Sequence, residues 1–257
     1  LINESCSYEH ELIFIVQNKV TKIQNESYLT KIMNRLKLEI NLIKMSKRNH
    51  ELLIYFKNRI TMIFYKDQKN LYDNNKWQTI HNYFKEKNKK YKGVLPVIKI
   101  NNINHEGELI KKINPDLFIV VGGPFIRKNI ISLLSDKIKI NLHIGYLPYY
   151  RGILCPEVAF LKNDTNRVGY SIHELSPELD KGKVYIRENF QVTAKIINMG
   201  DLYNKMYINA FNNIVKFIND DNIEMKNVNY SLGKLYNSYS FNPRNYKILN
   251  KTFCNEK

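Results

Sequence analysis

A short apolar segment places the strongest constraint on the fold of this chain. Residues Asp116–Val121 read Asp-Leu-Phe-Ile-Val-Val and stand between an Asn-Pro pair and a Gly-Gly pair. A continuous apolar run between such turn residues is typical of a strand buried on both faces, as in parallel sheets. A second strand is predicted over Ile138–Leu142. Because alternate side chains of a strand share a face, Asn141 and His143 should point the same way at its carboxyl end.

Three ordered motifs follow at this edge, where open α/β sheets bind their ligands. They are Asn141-x-His143-x-Gly145-x-Leu147-Pro148-x-Tyr150-Arg151-Gly152, then Gly169-Tyr-Ser-Ile-His173, then Leu179-Asp180-Lys-Gly182. A single Asn, His or Asp in such a place would be interpreted as a turn residue. The three motifs together resemble the formyltransferase family that uses N10-formyltetrahydrofolate, which includes glycinamide ribonucleotide, methionyl-tRNA and nucleotide-amino-sugar enzymes.

The resemblance implies that Asn141, His143 and Asp180 are the catalytic residues. In formyl transfer an amine attacks the formyl carbon, negative charge develops on the formyl oxygen, and the nitrogen loses a proton. The Asn141 amide can donate to that oxygen, an interaction whose loss costs on the order of 3 kcal/mol in other enzymes. His143 can accept the proton near neutral pH, an effect worth about 10²–10⁴ in rate. Asp180 would orient the imidazole or position a relay water, and both roles stay open.

The resemblance also assigns a cofactor side and an acceptor side. The turn after Val121 corresponds to the family segment whose backbone meets the pterin ring of N10-formyltetrahydrofolate. The candidate cofactor-binding residues are Gly123, Phe125, Ile126 and Arg127. The loop of the first motif is expected to border the acceptor, with Tyr150 and Arg151 as candidate substrate-binding residues. A structural ion pair of Arg151 is the alternative. His173 is interpreted as structural, and a supporting role beside the catalytic residues is the alternative.

Two positions depart from the commonest family pattern. Ile144-Gly145 follows the first histidine where many members have Pro-Ser, and the glycine resembles the branch that modifies polysaccharide sugars. Cys155-Pro156-Glu157 stands where relatives often carry a Trp or another bulky residue. The second departure concerns the lining of the acceptor pocket, and the three catalytic positions are intact.

The composition fits a cytoplasmic α/β enzyme. A chain of 257 residues with 44% hydrophobic content can bury the core of one such domain. Its apolar runs fall far short of the ~20 residues that cross a bilayer, and no signal-peptide pattern opens the printed sequence. Cys6, Cys155 and Cys254 are scattered, which fits a reducing cytoplasm and argues against a metal site.

The net charge of +16 raises the hypothesis of RNA binding. Lysine outnumbers arginine about fourfold, as an A+T-rich genome would impose, and the lysines are spread along the chain with only short clusters such as Lys85–Lys92. We therefore disfavour a nucleic-acid partner. A phosphate-bearing substrate such as a nucleotide sugar would profit from the same positive field.

A basic helical insertion is predicted over about residues 27–92. Apolar residues recur at helical spacing from Ser27 to about Lys66, as expected for helices packed on the sheet or on a partner subunit. A membrane-surface helix is the alternative. The remainder of the insertion is expected to be loop plus helix, with Trp77 and Phe84 buried as anchors. Such an insertion also resembles the polysaccharide branch.

We therefore predict an α/β formyltransferase catalytic domain over residues 1–219, with a Rossmann-like, doubly wound and mostly parallel sheet. Antiparallel strands over Val168–Leu175 and Val184–Val192 extend this sheet, and their connection carries Asp180 over the site. Residues 220–257 are predicted to form a Tyr- and Asn-rich tail.

The start of the sequence departs from the pattern of the family. Its first strand-like run is Glu11–Val16, whereas relatives place a strand and a helix before the equivalent run. An N-terminal strand is therefore expected to be missing from the printed sequence. A protein that naturally lacks it would be a catalytically inactive relative that binds folate or RNA, which is a hypothesis of a different class.

The predicted acceptor is the amine of a nucleotide-linked amino-deoxysugar, in surface polysaccharide or lipopolysaccharide biosynthesis. The forty or so residues after Asn219 leave no room for the RNA-binding barrel of methionyl-tRNA enzymes, and the purine-pathway enzyme usually lacks a basic helical insertion. Formylation of methionyl-tRNA or of a purine precursor is the alternative. The resemblance makes a homodimer one candidate assembly, while the sugar, the nucleotide and the position of the amine stay open.

Overall fold

The structure is a computed structural model, and it describes residues 13–17, 49–89, 97–192, 198–219, 232–237 and 241–253. The strands of these ranges are β1 (Phe14–Gln17), β2 (Val97–Ile100), β3 (Leu117–Val121), β4 (Ile138–His143), β5 (Tyr150–Gly152), β6 (Gly169–Glu174), β7 (Val184–Asn189) and β8 (Lys234–Tyr236). The helices are α1 (Asn49–Phe64), α2 (Lys66–Asn88), α3 (Gly107–Ile113), α4 (Lys128–Leu133), α5 (Cys155–Leu161), α6 (Met199–Asn219) and α7 (Asn245–Phe253). Two 3-10 turns cover Ile103–His105 and Thr165–Arg167. The parts of the predicted insertion at residues 27–48 and 90–92 lie outside the described ranges.

A four-stranded sheet with the order β3-β4-β6-β7 carries the candidate site. Strands β3 and β4 are parallel, whereas β4 with β6 and β6 with β7 are antiparallel. Strands β1 and β2 form a further parallel pair, and so do β5 and β8. The predicted α/β fold, with parallel strands followed by an antiparallel extension, is confirmed.

Different helices cover the two faces of this sheet. Leu117 and Ile119 of β3 pack into a core with α2, α5, α6 and α7, whereas Phe118 and Val120 pack with α3 and α4. This alternation is the two-residue period of a strand that is buried on both sides. It explains why the β3 sequence is apolar throughout, and it leaves the carboxyl ends of β3 and β4 as the accessible edge.

Helix α2 differs from the prediction of a loop followed by a helix. It is one continuous helix of 23 residues, and its buried residues are Tyr72, Lys76 and Ile80. These residues face α6 and α7. Two of the three carry polar groups, so the sequence has no clear apolar stripe there.

The two predicted aromatic anchors of α2 behave differently. Phe84 packs against the core and contacts Tyr207 and Phe211 edge-on, with ring centroids 6.2 and 6.3 Å apart. The prediction that Trp77 is buried is wrong, because its side chain is 52% exposed. The neighbouring Lys76 takes the inward position instead.

Part of the predicted tail packs on the same core as the sheet. Phe241 and the α7 residues Tyr246, Leu249 and Phe253 are buried there. The division of the chain at residue 219 stays a prediction. None of the helices in the described ranges combines the length and hydrophobicity that a membrane span requires.

Candidate active site

Strands β4 and β6 bring two histidines and an asparagine together. Because β6 runs antiparallel to β4, Asn141 is paired with His173, and His143 is paired with Ser171. Side chains of directly paired residues share a face of the sheet. Both imidazoles are buried, and their ring centroids lie 6.2 Å apart in nearly perpendicular planes.

Asp180 lies over these residues, in the turn between β6 and β7. Its φ of 52° is left-handed, a conformation that Asp adopts more readily than most residues. Its Oδ1 lies 3.6 Å from His173 Nε2, and its Oδ2 lies 3.7 Å from His143 Nδ1. The Gly152 N–H donates to Oδ2 at 2.7 Å. The carboxylate is therefore held between two imidazoles without a short hydrogen bond to either.

Backbone carbonyls determine which ring nitrogens carry hydrogen. His173 Nδ1 donates to the Glu174 carbonyl at 2.8 Å, which leaves Nε2 to accept from the Asn141 amide at 3.0 Å. His143 Nε2 donates to the Tyr150 carbonyl at 3.1 Å. The lone pair of a neutral His143 is then on Nδ1, which faces Asp180.

Burial and charge act on the two titratable groups in opposite directions. Burial lowers the pKa of His143 below its ordinary value, although the nearby Asp180 carboxylate works against this shift. Burial alone would raise the pKa of Asp180, but the approach of His173 and His143 and the Gly152 N–H outweigh it, so the pKa lies below the ordinary value. A neutral imidazole beside an ionised carboxylate is the resulting state at neutral pH.

A cleft with a volume of about 80 Å³ opens beside this group. Asn141, His173 and Asp180 line one part of it, and the turns after β3 and after β6 form its walls. The wall residues are Val120, Gly123, Pro124, Phe125 and Ile126, and Leu175, Ser176, Glu178 and Leu179. Apolar walls with a few polar groups suit a flat organic ring that carries a reactive polar atom.

The structure places three of the four predicted cofactor residues in the cleft wall, namely Gly123, Phe125 and Ile126. The side chain of Arg127 is exposed, and its backbone N–H donates to Asn104 Oδ1 at 2.7 Å. Asn104 Nδ2 also donates to the Phe125 carbonyl at 2.9 Å. Asn104 thus fixes this wall, but in the sequence it is only one asparagine among many.

The predicted substrate-binding residues Tyr150 and Arg151 both have buried side chains and neither lines this cleft, so their contact with an acceptor stays a prediction. The Tyr150 hydroxyl donates to Asp164 at 2.8 Å, and burial together with this contact raises the pKa of the phenol. Arg151 donates to the Leu179 carbonyl at 2.7 Å and to the Gly233 carbonyl at 3.4 Å. Their side chains hold the loops of the site together.

His173 was interpreted as structural from the sequence, and the structure places it in the cleft wall beside Asn141. A signal for this position did exist. His173 follows Ser171 by two residues on a predicted strand, so both side chains lie on one face. Only the pairing of β6 with β4 shows that this face is the one that carries Asn141.

Gly145 explains one departure from the commonest family pattern. A Cβ atom added there would lie 2.2 Å from His143 Nε2 and 2.9 Å from Cys155 Cβ. Cys155 is itself buried, with Sγ 3.7 Å from His143 Nε2. The imidazole therefore packs in a space that only glycine leaves open.

Comparisons with known proteins identify the family of this chain. Residues 68–217, more than half of the chain, match the formyl transferase family. Methionyl-tRNA formyltransferase of Finegoldia magna is 32% identical over 170 residues, which is 61% of this chain and 54% of that protein. The enzyme of the same name from a Sulfurihydrogenibium species is 36% identical over 106 residues, or 40% of this chain and 33% of that one. The chain thus spans about half or less of these relatives.

Among solved structures, a 4-N formyltransferase from Francisella tularensis matches with a TM-score of 0.46 and 20% identity, over 62% of each chain. The family assignment depends on the sequence match, which includes the strands that carry Asn141, His143 and His173 and the turn that carries Asp180. On that ground, the chain belongs to the formyl transferase family.

Proposed function

We propose that this chain transfers a formyl group from N10-formyltetrahydrofolate to a primary amine. The observation that carries the proposal is the convergence of Asn141, His173 and Asp180 on one cleft, with His143 directly behind Asp180. These residues come from β4, from β6 and from the turn after β6, so the fold itself is needed to assemble them.

The cleft fits the donor. Phe125 and Leu179 are 47% and 39% exposed on opposite walls, and they offer apolar contact to a flat ring. The donor supplies the formyl group when bound, and the polar end of the cleft then faces that group. The Asn141 amide nitrogen has two hydrogens, of which His173 accepts one at 3.0 Å. The other hydrogen is available to the formyl oxygen as charge develops there.

The proton of the attacking amine needs an acceptor near the cleft. Asp180 lines the cleft, whereas His143 lies behind it with its Nδ1 lone pair 3.7 Å from the carboxylate. We infer that Asp180 holds the amine, or a water molecule beside it, and that His143 Nδ1 receives the proton. The lowered pKa of His143 keeps the imidazole neutral, and hence able to accept a proton, at neutral pH.

The favoured acceptor is an amino-deoxysugar carried on a nucleotide. Gly145, a feature that resembles the polysaccharide branch, is required by the packing of His143. The net charge of +16 would attract the phosphates of a nucleotide sugar. Methionyl-tRNA is the second candidate, because the named sequence relatives are methionyl-tRNA formyltransferases. The same positive charge would serve that acceptor.

A panel of acceptors tests the proposal. The chain is incubated with N10-formyltetrahydrofolate and with dTDP- and UDP-linked amino sugars, glycinamide ribonucleotide, or charged and uncharged initiator tRNA. Mass spectrometry then detects the formylated amine. Product with an amino sugar supports the favoured acceptor, and product only with methionyl-tRNA replaces it with the second candidate. Absence of product with every acceptor contradicts formyl transfer and favours an inactive relative.

A pair of matched variants ties the activity to the site. Asn141→Ala should lower kcat by about 10²–10³, the usual cost of one oxyanion donor. Asn82→Ala, on the exposed face of α2, should leave kcat unchanged.

A homodimer and a cytoplasmic location stay predictions, and light scattering of the purified chain tests the first of them.

A further inference from the structure

Strand β5 contacts two of the three predicted catalytic side chains, those of His143 and Asp180, through its backbone. The Tyr150 carbonyl accepts a hydrogen bond from His143 Nε2 at 3.1 Å, and the Gly152 N–H donates to Asp180 Oδ2 at 2.7 Å. Between them, the buried Arg151 guanidinium donates at 2.7 Å to the carbonyl of the residue before Asp180. Three consecutive residues of β5 therefore set the positions of the imidazole and the carboxylate.

Strand β5 is held in turn by β8, which comes from the C-terminal part of the chain. The two strands are parallel. A hydrogen bond of 3.0 Å closes each end of the pair, from the Gly233 N–H to the Pro148 carbonyl and from the Ile153 N–H to the Tyr236 carbonyl. Arg151 also reaches the Gly233 carbonyl, at 3.4 Å. One side chain thus joins β8 to the turn that carries the catalytic carboxylate.

Close packing leaves little freedom between β5 and β8. Gly152 has φ +92°, and a Cβ atom added there would lie 1.9 Å from the Tyr236 carbonyl oxygen. The buried Tyr236 ring stacks on Tyr150 with centroids 5.9 Å apart, and its hydroxyl accepts from Lys162 Nζ at 2.6 Å. A two-stranded pair is marginal alone, so these contacts fix where β5 lies.

We propose that β8 is a positioning element of the active site, although it lies beyond the family-matched residues 68–217. It fixes β5, and through the β5 backbone it fixes His143 and Asp180. This inference rests on the proposed formyl transfer. It predicts that a change in β8, which does not line the cleft, slows the chemical step without weakening binding of the donor.

The variant Gly233→Ala, at the residue directly before β8, tests this role. Its new Cβ would meet the Tyr149 and Pro148 carbonyl oxygens at 2.4 and 2.5 Å, so β8 must move away from β5. We expect kcat to fall about 10- to 100-fold, because a displacement of about 1 Å can cost 10²-fold. The KM for N10-formyltetrahydrofolate should change less than kcat does, since neither β5 nor β8 lines the cleft and they reach its wall only through Leu179 and Asp180.

A matched control and a second variant guard against a general loss of folding. Gly107→Ala is the control, because its Cβ would meet Leu133 Cδ1 at 3.4 Å, an ordinary contact in another part of the fold. Arg151→Met removes the donors to both carbonyls and should lower kcat as Gly233→Ala does. Arg151→Lys keeps one donor and should recover part of the loss. If Gly233→Ala and Arg151→Met both retain the kcat of the control, the inference is wrong.

Amide hydrogen exchange at Gly152 tests β8 without any acceptor. This N–H is bonded to the buried Asp180 carboxylate, so it should exchange slowly in the native chain and in Gly107→Ala. It should exchange at least about tenfold faster in Gly233→Ala. Equal exchange in both variants overturns the inference. If the native chain forms no product with any acceptor, formyl transfer fails, and this measurement alone decides the role of β8.

Discussion

Two buried carboxylates in this fold differ in how their oxygens are satisfied. Glu157 accepts hydrogen bonds from two tyrosine hydroxyls and from Lys76 Nζ, at 2.8 to 2.9 Å. Asp180 accepts one backbone N–H at 2.7 Å and faces two imidazole nitrogens at 3.6 and 3.7 Å. Glu157 is fully buried, whereas Asp180 lines the cleft.

The electrostatics follow from this difference. Burial alone would raise the pKa of Glu157, but the Lys76 ammonium outweighs it and the pKa lies below the ordinary value. Lys76 Nζ also lies 5.1 and 4.8 Å from the ring centroids of Tyr72 and Tyr203. A buried charge whose hydrogen-bond partners are complete has no capacity left for a ligand, and removing one partner is destabilising, whereas a charge with capacity left can act on a ligand. The comparison supports a structural role for Glu157 and is consistent with the chemical role proposed for Asp180.

The two regions meet in the first turn of α5. Glu157 is two residues from Cys155, whose Sγ lies 3.7 Å from His143 Nε2. The Glu157 cluster and the imidazole are therefore joined through the first turn of α5. A substitution in the Glu157 cluster should mainly change stability, whereas one beside Asp180 should mainly change activity. The following experiments test this separation.

The largest effect is expected for His143→Gln. Loss of the proton acceptor should lower kcat by about 10²–10⁴, while the thermal midpoint changes by only a few degrees. Steady-state kinetics and thermal unfolding measure the two properties. His81→Gln, at an exposed position on α2, is the matched control. A variant that keeps more than a tenth of the native kcat would contradict the role given to His143.

For Lys76→Met we expect the opposite result, a large loss of stability with little change in activity. Removing the ammonium leaves Glu157 as an uncompensated buried charge, which should lower the free energy of unfolding by about 3–5 kcal/mol. Urea unfolding followed by circular dichroism measures it. The double variant Lys76→Met with Glu157→Gln removes both charges and should recover part of the loss. A single variant that loses less than about 1 kcal/mol would show that the pair is not structural.

A smaller effect is expected where the two regions touch. Gly145→Ala places a methyl group 2.2 Å from His143 Nε2, so the imidazole must turn away from its position. We expect kcat to fall about tenfold or more, with donor KM little changed. A crystal structure of the variant would show the displaced ring. An unchanged kcat would mean that the position of His143 tolerates movement.

The smallest expected effect is a shift in the pH profile. Because burial lowers the pKa of His143, the acid limb of kcat/KM should lie below the ordinary value of about 6.5. The Asp180 charge raises this pKa, so the residual activity of Asp180→Asn should have its acid limb at still lower pH. For stability, a histidine with a lowered pKa destabilises the fold progressively as the pH falls below about 6.5. An acid limb that moves upward in Asp180→Asn would reverse the assignment.

The sequence was sufficient to predict the elements that are buried through a short, continuous run of apolar side chains. The apolar run Asp116–Val121 predicted β3, observed as Leu117–Val121, to within one residue, because a strand buried on both faces is apolar throughout. Helix α2 was misread, since its inward face consists of Tyr72, Lys76 and Ile80. A lysine normally indicates an exposed face, and its partner Glu157 is 81 residues away in the sequence.

The same physical limit applies to the site. The structure places Asn141, His143 and Asp180 together, as the resemblance implied. The order and spacing of the three motifs in the sequence were enough to identify these positions. The part played by His173 depends on the pairing of β6 with β4, which no local pattern specifies. Tyr150 and Arg151 were expected to face a substrate. Their side-chain partners, which include Asp164 and Gly233, come from other parts of the chain.

The half-exposed Trp77 has a practical consequence. It is the only tryptophan in the sequence, and Lys76 Nζ lies 5.2 Å from its ring centroid. Selective excitation of tryptophan therefore gives fluorescence from this one residue. Trp77 lies beside the Lys76 ion pair, on a helix that does not line the cleft. Its intrinsic fluorescence therefore reports whether α2 is packed against α6 and α7, independently of catalytic activity.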